Sequence, residues 1–163
     1  MTSTRRRQSD SRFDRVRLIA AACAGFLLAV LWMDLIFDSQ VLRHRATDVL
    51  PEPVLASICA YYRRATTTSR PMSYLIALVM VVLLGALGFR WAESPSLWLG
   101  IATALAGVPV LLAAIRTVPN AKRLGSRVDS PVEQSRLARA VWGDHLVCLA
   151  CLLGFLGVWL TTQ

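Results

Sequence analysis

Asp34 is the one acid well inside a long apolar run of this chain, and Asp38 follows one helical turn later on the same face. Asp34 stands sixteen residues after Leu18, about 24 Å along a helix axis. Two carboxylates so placed repel one another. An acid at membrane depth that faces a partner or a wet cavity is a candidate for proton transfer or ligand binding. The plainer reading is that Asp34 has already reached the headgroup boundary and simply ends the run. Gln40, Arg43 and His44 follow within two turns. Asp144 and His145 stand where a later apolar run opens, and imidazole beside carboxylates is a proton donor and acceptor near neutral pH. His145, Cys148 and Cys151 share one helical face. His and Cys are zinc and copper ligands, but no further ligands are evident elsewhere, so neither a metal nor another cofactor is expected. There is no phosphate loop, nucleophile elbow or paired CxxC, and the four cysteines read as small buried hydrophobes.

The elements that must position these groups are four apolar runs, Leu18–Phe37, Met72–Phe89, Leu97–Ile115 and Leu146–Leu160. At 1.5 Å per residue, runs of this length cross a hydrocarbon layer of about 30 Å. The expected fold is all-α, an integral membrane four-helix bundle, with spans at about 17–38, 72–90, 97–116 and 142–161 and one amphipathic helix in the first long connection. Residues 1–15 are arginine-rich and aperiodic, and read as a disordered basic tail; 16–163 then form the four-span membrane domain. The chain is 55% hydrophobic and carries a net charge of +8, with Lys122 its only lysine. The arginines flank apolar runs, so anionic lipid headgroups are the expected partner, at about 1 kcal/mol per charge. Nucleic acid is not, since no basic fold or base-stacking module is left outside the spans. The first run continues unbroken past Cys23, which argues against a cleaved signal.

The connections are informative. In Ser39–Pro71, Pro51 and Pro53 can open a helix, and Val54, Leu55, Ile58, Cys59 and Tyr62 recur at helical spacing. That helix should lie on the membrane or fold back on the bundle. Arg90–Ser96 is short enough to make spans two and three antiparallel neighbours. Pro109 should kink span three, and Gly85, Gly88, Gly100, Ala104 and Gly107 offer small surfaces for close helix contact. Ser130-Pro131-Val132-Glu133 is a capping box, and it predicts a helix of about 30 residues running into span four and projecting about 15 Å from the membrane. Topology then places the ends of spans one and three and the start of span four on one side. Asp34, Asp38, Asn120, Arg123, Arg139, Asp144 and His145 would converge at one mouth of the bundle; the plainer alternative is an ordinary set of interfacial polar residues. Six arginines before and at the start of span one favour a cytoplasmic N-terminus, with both termini on that side. The larger basic count in the two long connections favours the opposite; the first helix usually decides.

The order of features resembles a known family. A first span leads to Tyr61-Tyr62-Arg63-Arg64 and on to Arg70-Pro71. Two spans follow, and the third ends in Thr117-Val118-Pro119-Asn120-Ala121-Lys122-Arg123-Leu124. Over roughly residues 18–145 this resembles the anthrone-oxygenase-like family of small four-helix membrane proteins, with the Pro-Asn-x-x-x-Leu stretch carrying most of the likeness. The resemblance implies Asn120 and His145 as site residues and, from the fungal members, action on polyketide anthrones without an evident cofactor. Three functions are compatible with the residues. The expected one is a non-catalytic or accessory membrane component that joins a larger membrane complex or a homo-oligomer. The alternatives are a cofactor-independent, oxygenase-like enzyme acting on a lipophilic substrate, with Asp34, Asp38, Asn120 and His145 as candidates, and a small oligomeric transporter.

Overall fold

The computed structural model describes the backbone of residues 2–161 and the side chains from Ser11 to Thr161 other than that of Arg70. Helix α1 (Thr2–Asp38) continues as a 3-10 turn (Ser39–His44); α2 (Glu52–Arg63) ends in a π-turn (Arg64–Thr68); then come α3 (Arg70–Glu93), α4 (Leu97–Leu112), a second π-turn (Ala113–Thr117), α5 (Val118–Ser126) and α6 (Pro131–Thr161). No strand occurs among the described residues. Four continuous helical stretches are long and apolar enough to cross a membrane: Ser11–His44, Pro71–Glu93, Leu97–Ser126 and Pro131–Thr161. The protein is an all-α, four-span bundle.

The stretch expected to be an irregular tail is helical from Thr2. No proline or glycine interrupts residues 2–24, so a helix nucleated in the apolar run propagates outward at little cost per residue. The capping signal before span four is half realised. Ser130 Oγ accepts the Glu133 N–H at 3.3 Å, while the Glu133 carboxylate pairs with Arg136 at 2.7 Å and Arg123 at 3.2 Å. The resulting helix, α6, is 31 residues long.

Two apolar cores share α6. The first lies between the spans: Leu27, Leu31 and Leu35 of α1, Leu83 and Leu87 of α3, Ala102 and Ala106 of α4, and Leu152 and Phe155 of α6. The small side chains that allow close approach are Ala20, Ala24, Ala102 and Ala106. Of the glycines expected to do so, Gly100 would place a Cβ 3.9 Å from the Trp91 ring, while Gly85, Gly88 and Gly107 have no neighbour within 4 Å of where a Cβ would stand, and Ala104 is exposed. The second core is a cap in which Leu55, Ile58, Cys59 and Tyr62 of α2 meet Ala121 and Leu124 of α5 and Leu137, Ala138 and Val141 of α6. The amphipathic helix therefore folds back on the bundle, its apolar stripe buried as its spacing predicts. Two polar ties hold the cap. Ser135 Oγ accepts the buried Leu50 N–H at 2.9 Å, and Arg139 donates to the carbonyls of Asp48 at 2.9 Å and Thr47 at 2.5 Å.

α2 and α5 touch at Gly125, where an added Cβ would stand 2.8 Å from the Arg63 backbone nitrogen. Only a residue without a side chain fits there. Pro109 lies buried within α4, which continues three residues further before it widens into the π-turn. Such an inserted residue rotates everything after it relative to the preceding turns, and it brings Arg116 and Thr117 round toward α6.

Candidate functional site

The chemistry expected from the sequence sits at the seam between the two cores. Asp34 and Asp38 project from one face of α1, as their spacing dictates, and the adjacent tyrosines of α2 meet them one each. Tyr61 Oη donates to Asp34 Oδ1 at 2.5 Å and Tyr62 Oη to Asp38 Oδ1 at 2.7 Å. Burial, reinforced by the neighbouring carboxylates, pushes both phenols well above the usual tyrosine range. They stay protonated and act as donors. Phe37 stacks on Tyr61 with ring centroids 4.1 Å apart, and Tyr61 meets Tyr62 edge-on at 5.3 Å, which fixes both rings.

Asp38, only 1% exposed, also lies 2.6 Å from His145 Nδ1 through Oδ2. With Tyr62 on one oxygen and the imidazole on the other, the carboxylate accepts twice, and Nδ1 carries the hydrogen. In the neutral ring Nε2 then has the lone pair. No described side-chain nitrogen or oxygen is both buried and unpartnered, and Nε2 has no partner, so it keeps accessible surface. The same reasoning applies to Asp34 Oδ2. Both residues line a cavity of about 170 Å³ walled by apolar side chains from all four spans, among them Leu31, Met80, Val110, Cys148 and Leu152. An apolar cavity of about 150 Å³ is known to hold benzene, so there is room here for a group the size of one aromatic ring.

Thr117 closes the polar end of the cavity. Its hydroxyl stands 3.3 Å from Asp144 Oδ2 and 3.2 Å from the Leu112 carbonyl, and its one hydrogen serves both. Asp144 is also paired with Arg116 at 3.2 Å. Asp38 and Asp34 have no arginine or lysine within ion-pair distance among the described residues; hydroxyl and imidazole groups solvate them instead.

The structure thus joins Asp34, Asp38, Asp144 and His145, as topology predicted, and leaves out the other expected members. Asn120 is half-buried on α5 and makes no hydrogen bond to the cluster among the described residues. Arg123 turns outward to Asp129 at 2.7 Å, Arg139 braces the cap, and Gln40 bonds Ser57 at 3.2 Å. α5 runs on beyond the π-turn into the cap, which carries Asn120 and Arg123 away from the mouth. Sequence reasoning missed Tyr61, Tyr62, Arg116 and Thr117. The tyrosines count as apolar in a periodicity pattern, although two hydroxyls one residue apart are the natural complement to two acids one turn apart. No three of His, Cys, Asp and Glu converge as a metal site among the described residues.

Comparison of the chain with protein-family profiles, with curated proteins and with solved structures finds no match. A carboxylate holds one nitrogen of an imidazole that lines an apolar chamber. That is the positioning half of a general base.

Proposed function

We propose that this chain is a small multi-pass enzyme of the cell membrane, with both termini cytoplasmic, that takes a proton from a lipophilic substrate without the help of a cofactor. The observation that supports this most is the Asp38–His145 pair, whose imidazole lines an apolar cavity large enough for an aromatic ring. In this reading the ring sits among Leu31, Met80 and Leu152. His145 Nε2 removes a proton from carbon or oxygen next to the ring. Asp38 stabilises the imidazolium that forms, and Asp34, steadied by Tyr61, takes the proton onward. The resemblance to anthrone-oxygenase-like proteins fits this chemistry, because a carbanion formed beside a carbonyl can react with dioxygen directly. The CH2 group and O2 then become C=O and water.

A second reading has its own support. The Tyr61, Tyr62 and His145 bonds join α1, α2 and α6, and such a clasp stabilises a non-catalytic membrane component equally well. Deuterium exchange separates the two. Full-length protein in lipid nanodiscs, in D2O, is incubated with small aryl ketones whose CH2 lies between ring and carbonyl. Enzyme catalysis predicts deuterium uptake above that of empty nanodiscs, reduced about 100-fold or more in His145→Gln at unchanged melting temperature. Equal uptake in the two proteins rejects the catalytic reading and leaves the clasp.

The proposed orientation rests on the arginines around the start of α1, six of them up to Arg17. A reporter fused at Gln163 that is active only in the cytoplasm is expected to be active; an active periplasmic or extracellular reporter would reverse it.

A further inference from the structure

The opposite end of the bundle holds a second cavity, about 260 Å³, where all four spans meet. α1 contributes Phe13, Asp14 and Arg17, the end of α3 contributes Arg90, α4 contributes Ser96 and Trp98, and α6 contributes Trp159. Arg17 and Arg90 are half-buried, and neither has a carboxylate within 4 Å among the described residues; the ion pairs lie elsewhere. Arg90 lies over the Phe13 ring at 4.8 Å, and Arg17 reaches the Leu160 carbonyl at 3.5 Å. These neutral contacts hold the guanidinium groups in place without cancelling their charge. The indole of Trp159 donates to the Arg17 carbonyl at 3.2 Å, which fixes the turn that carries Arg17. Trp98 borders the cavity with 55% of its surface exposed, in the position where an indole belongs at a headgroup layer. Asp14 also lines the space and lowers the local positive charge, so two cations face one acid. The spans end at this level, so whatever enters meets the boundary between acyl chains and water.

We propose that this cavity is a phosphate site, with Arg17 and Arg90 as its ligands and a phospholipid as the source of the phosphate. Guanidinium forks match phosphate oxygens, and Leu18, Leu97 and Trp98, exposed next to Arg17 and Ser96 in the chain, offer apolar surface to the attached acyl chains. The site lies at the other end of the spans from His145 and does not depend on the catalytic reading.

The test is native mass spectrometry of the full-length protein in mild detergent, titrated with phosphatidylglycerol, with diacylglycerol of the same chains, and with inorganic phosphate. Phosphatidylglycerol adducts should exceed diacylglycerol adducts. They should fall about fivefold for each arginine replaced in Arg17→Gln and Arg90→Gln. Arg17→Lys/Arg90→Lys should retain most of them, and Arg12→Gln/Arg15→Gln, outside the cavity, should lower them clearly less than Arg17→Gln/Arg90→Gln does. Circular dichroism and melting temperature confirm that the variants fold; if the double glutamine variant does not, the single Arg90→Gln is decisive. Displacement of the lipid by millimolar inorganic phosphate would keep the phosphate site but assign it to a soluble anion. Undiminished phosphatidylglycerol binding in folded Arg17→Gln/Arg90→Gln, or equal binding of diacylglycerol, overturns the proposal.

Discussion

Asp38→Asn is expected to abolish the proton chemistry proposed for His145 while leaving the bundle folded. Tyr62 already donates to one oxygen of Asp38 at 2.7 Å, and His145 Nδ1 lies 2.6 Å from the other. A carboxamide keeps its oxygen for the tyrosine and turns its NH2 toward Nδ1, which must then accept. The ring hydrogen moves to Nε2, and the free lone pair toward the cavity is lost. In a serine protease triad the equivalent exchange lowers turnover by about 10⁴-fold, and a fall of two to four orders of magnitude in deuterium uptake is expected here. The change of tautomer has its own readout: at a pH where the ring is neutral, the ¹⁵N spectrum of labelled histidine should show hydrogen on Nδ1 in the wild type and on Nε2 in the variant. Asp38→Ala should behave differently. It leaves the Tyr62 hydroxyl and the Nδ1–H without an acceptor where water scarcely reaches, at a cost of about 1–3 kcal/mol for each. Hydrogen bonds measured inside membrane bundles fall at or below the lower end of that range, so a total of about 1–2 kcal/mol and a lowered melting temperature are expected. If Asp38→Ala melted with the wild type, the clasp would not be a stabilising element at all.

The second large effect is expected far from any ionisable group. In Gly125→Ala the new methyl carbon would stand 2.8 Å from the backbone nitrogen of Arg63, 3.0 Å from its Cα and 3.1 Å from the carbonyl carbon of Tyr62. All three are main-chain atoms, so no rotamer change relieves the overlap, and α2 itself must retreat from α5. Overpacking of this kind costs about 1–3 kcal/mol in soluble cores. The main chain displaced is that of Arg63 and of Tyr62, whose hydroxyl holds Asp38. Gly125→Ala should therefore lower both the melting temperature and the deuterium uptake, whereas Gly85→Ala, which meets nothing within 4 Å, should change neither. Wild-type behaviour of Gly125→Ala in both measurements would show that α2 is not seated as described.

These two positions mark what the sequence makes legible and what it hides. Span number, the folded-back amphipathic helix and the long α6 follow from run length, 3.6-residue spacing and the Ser130 cap, because burial and capping act locally. The meeting of Asp34, Asp38 and His145 follows from topology alone, since the end of one span and the start of another must share a side. Which other groups reach them does not follow. The π-turn at Ala113–Thr117 has no compositional mark, yet it decides that Thr117 and Arg116 meet Asp144 while Asn120 does not join. The tyrosines were hidden for another reason: a phenol satisfies an apolar pattern with its ring and a carboxylate with its hydroxyl, and spacing records only the first. Gly125 is one of nine glycines, and nothing in the chain distinguishes it from those that face open space.

The cavity beside His145 has walls from α3 and α4, whose outer faces are broadly exposed at Leu75, Leu78, Val81, Ile101 and Leu111. Placed in a bilayer, those faces meet acyl chains, so the chamber would be filled from the lipid phase. A hydrophobic guest's occupancy would then be set by its concentration in that phase, which exceeds its aqueous concentration by the partition coefficient. A pocket with weak intrinsic affinity would still be loaded when the guest is scarce in water, and a dissociation constant measured against total aqueous ligand would shift with the amount of lipid in the tube.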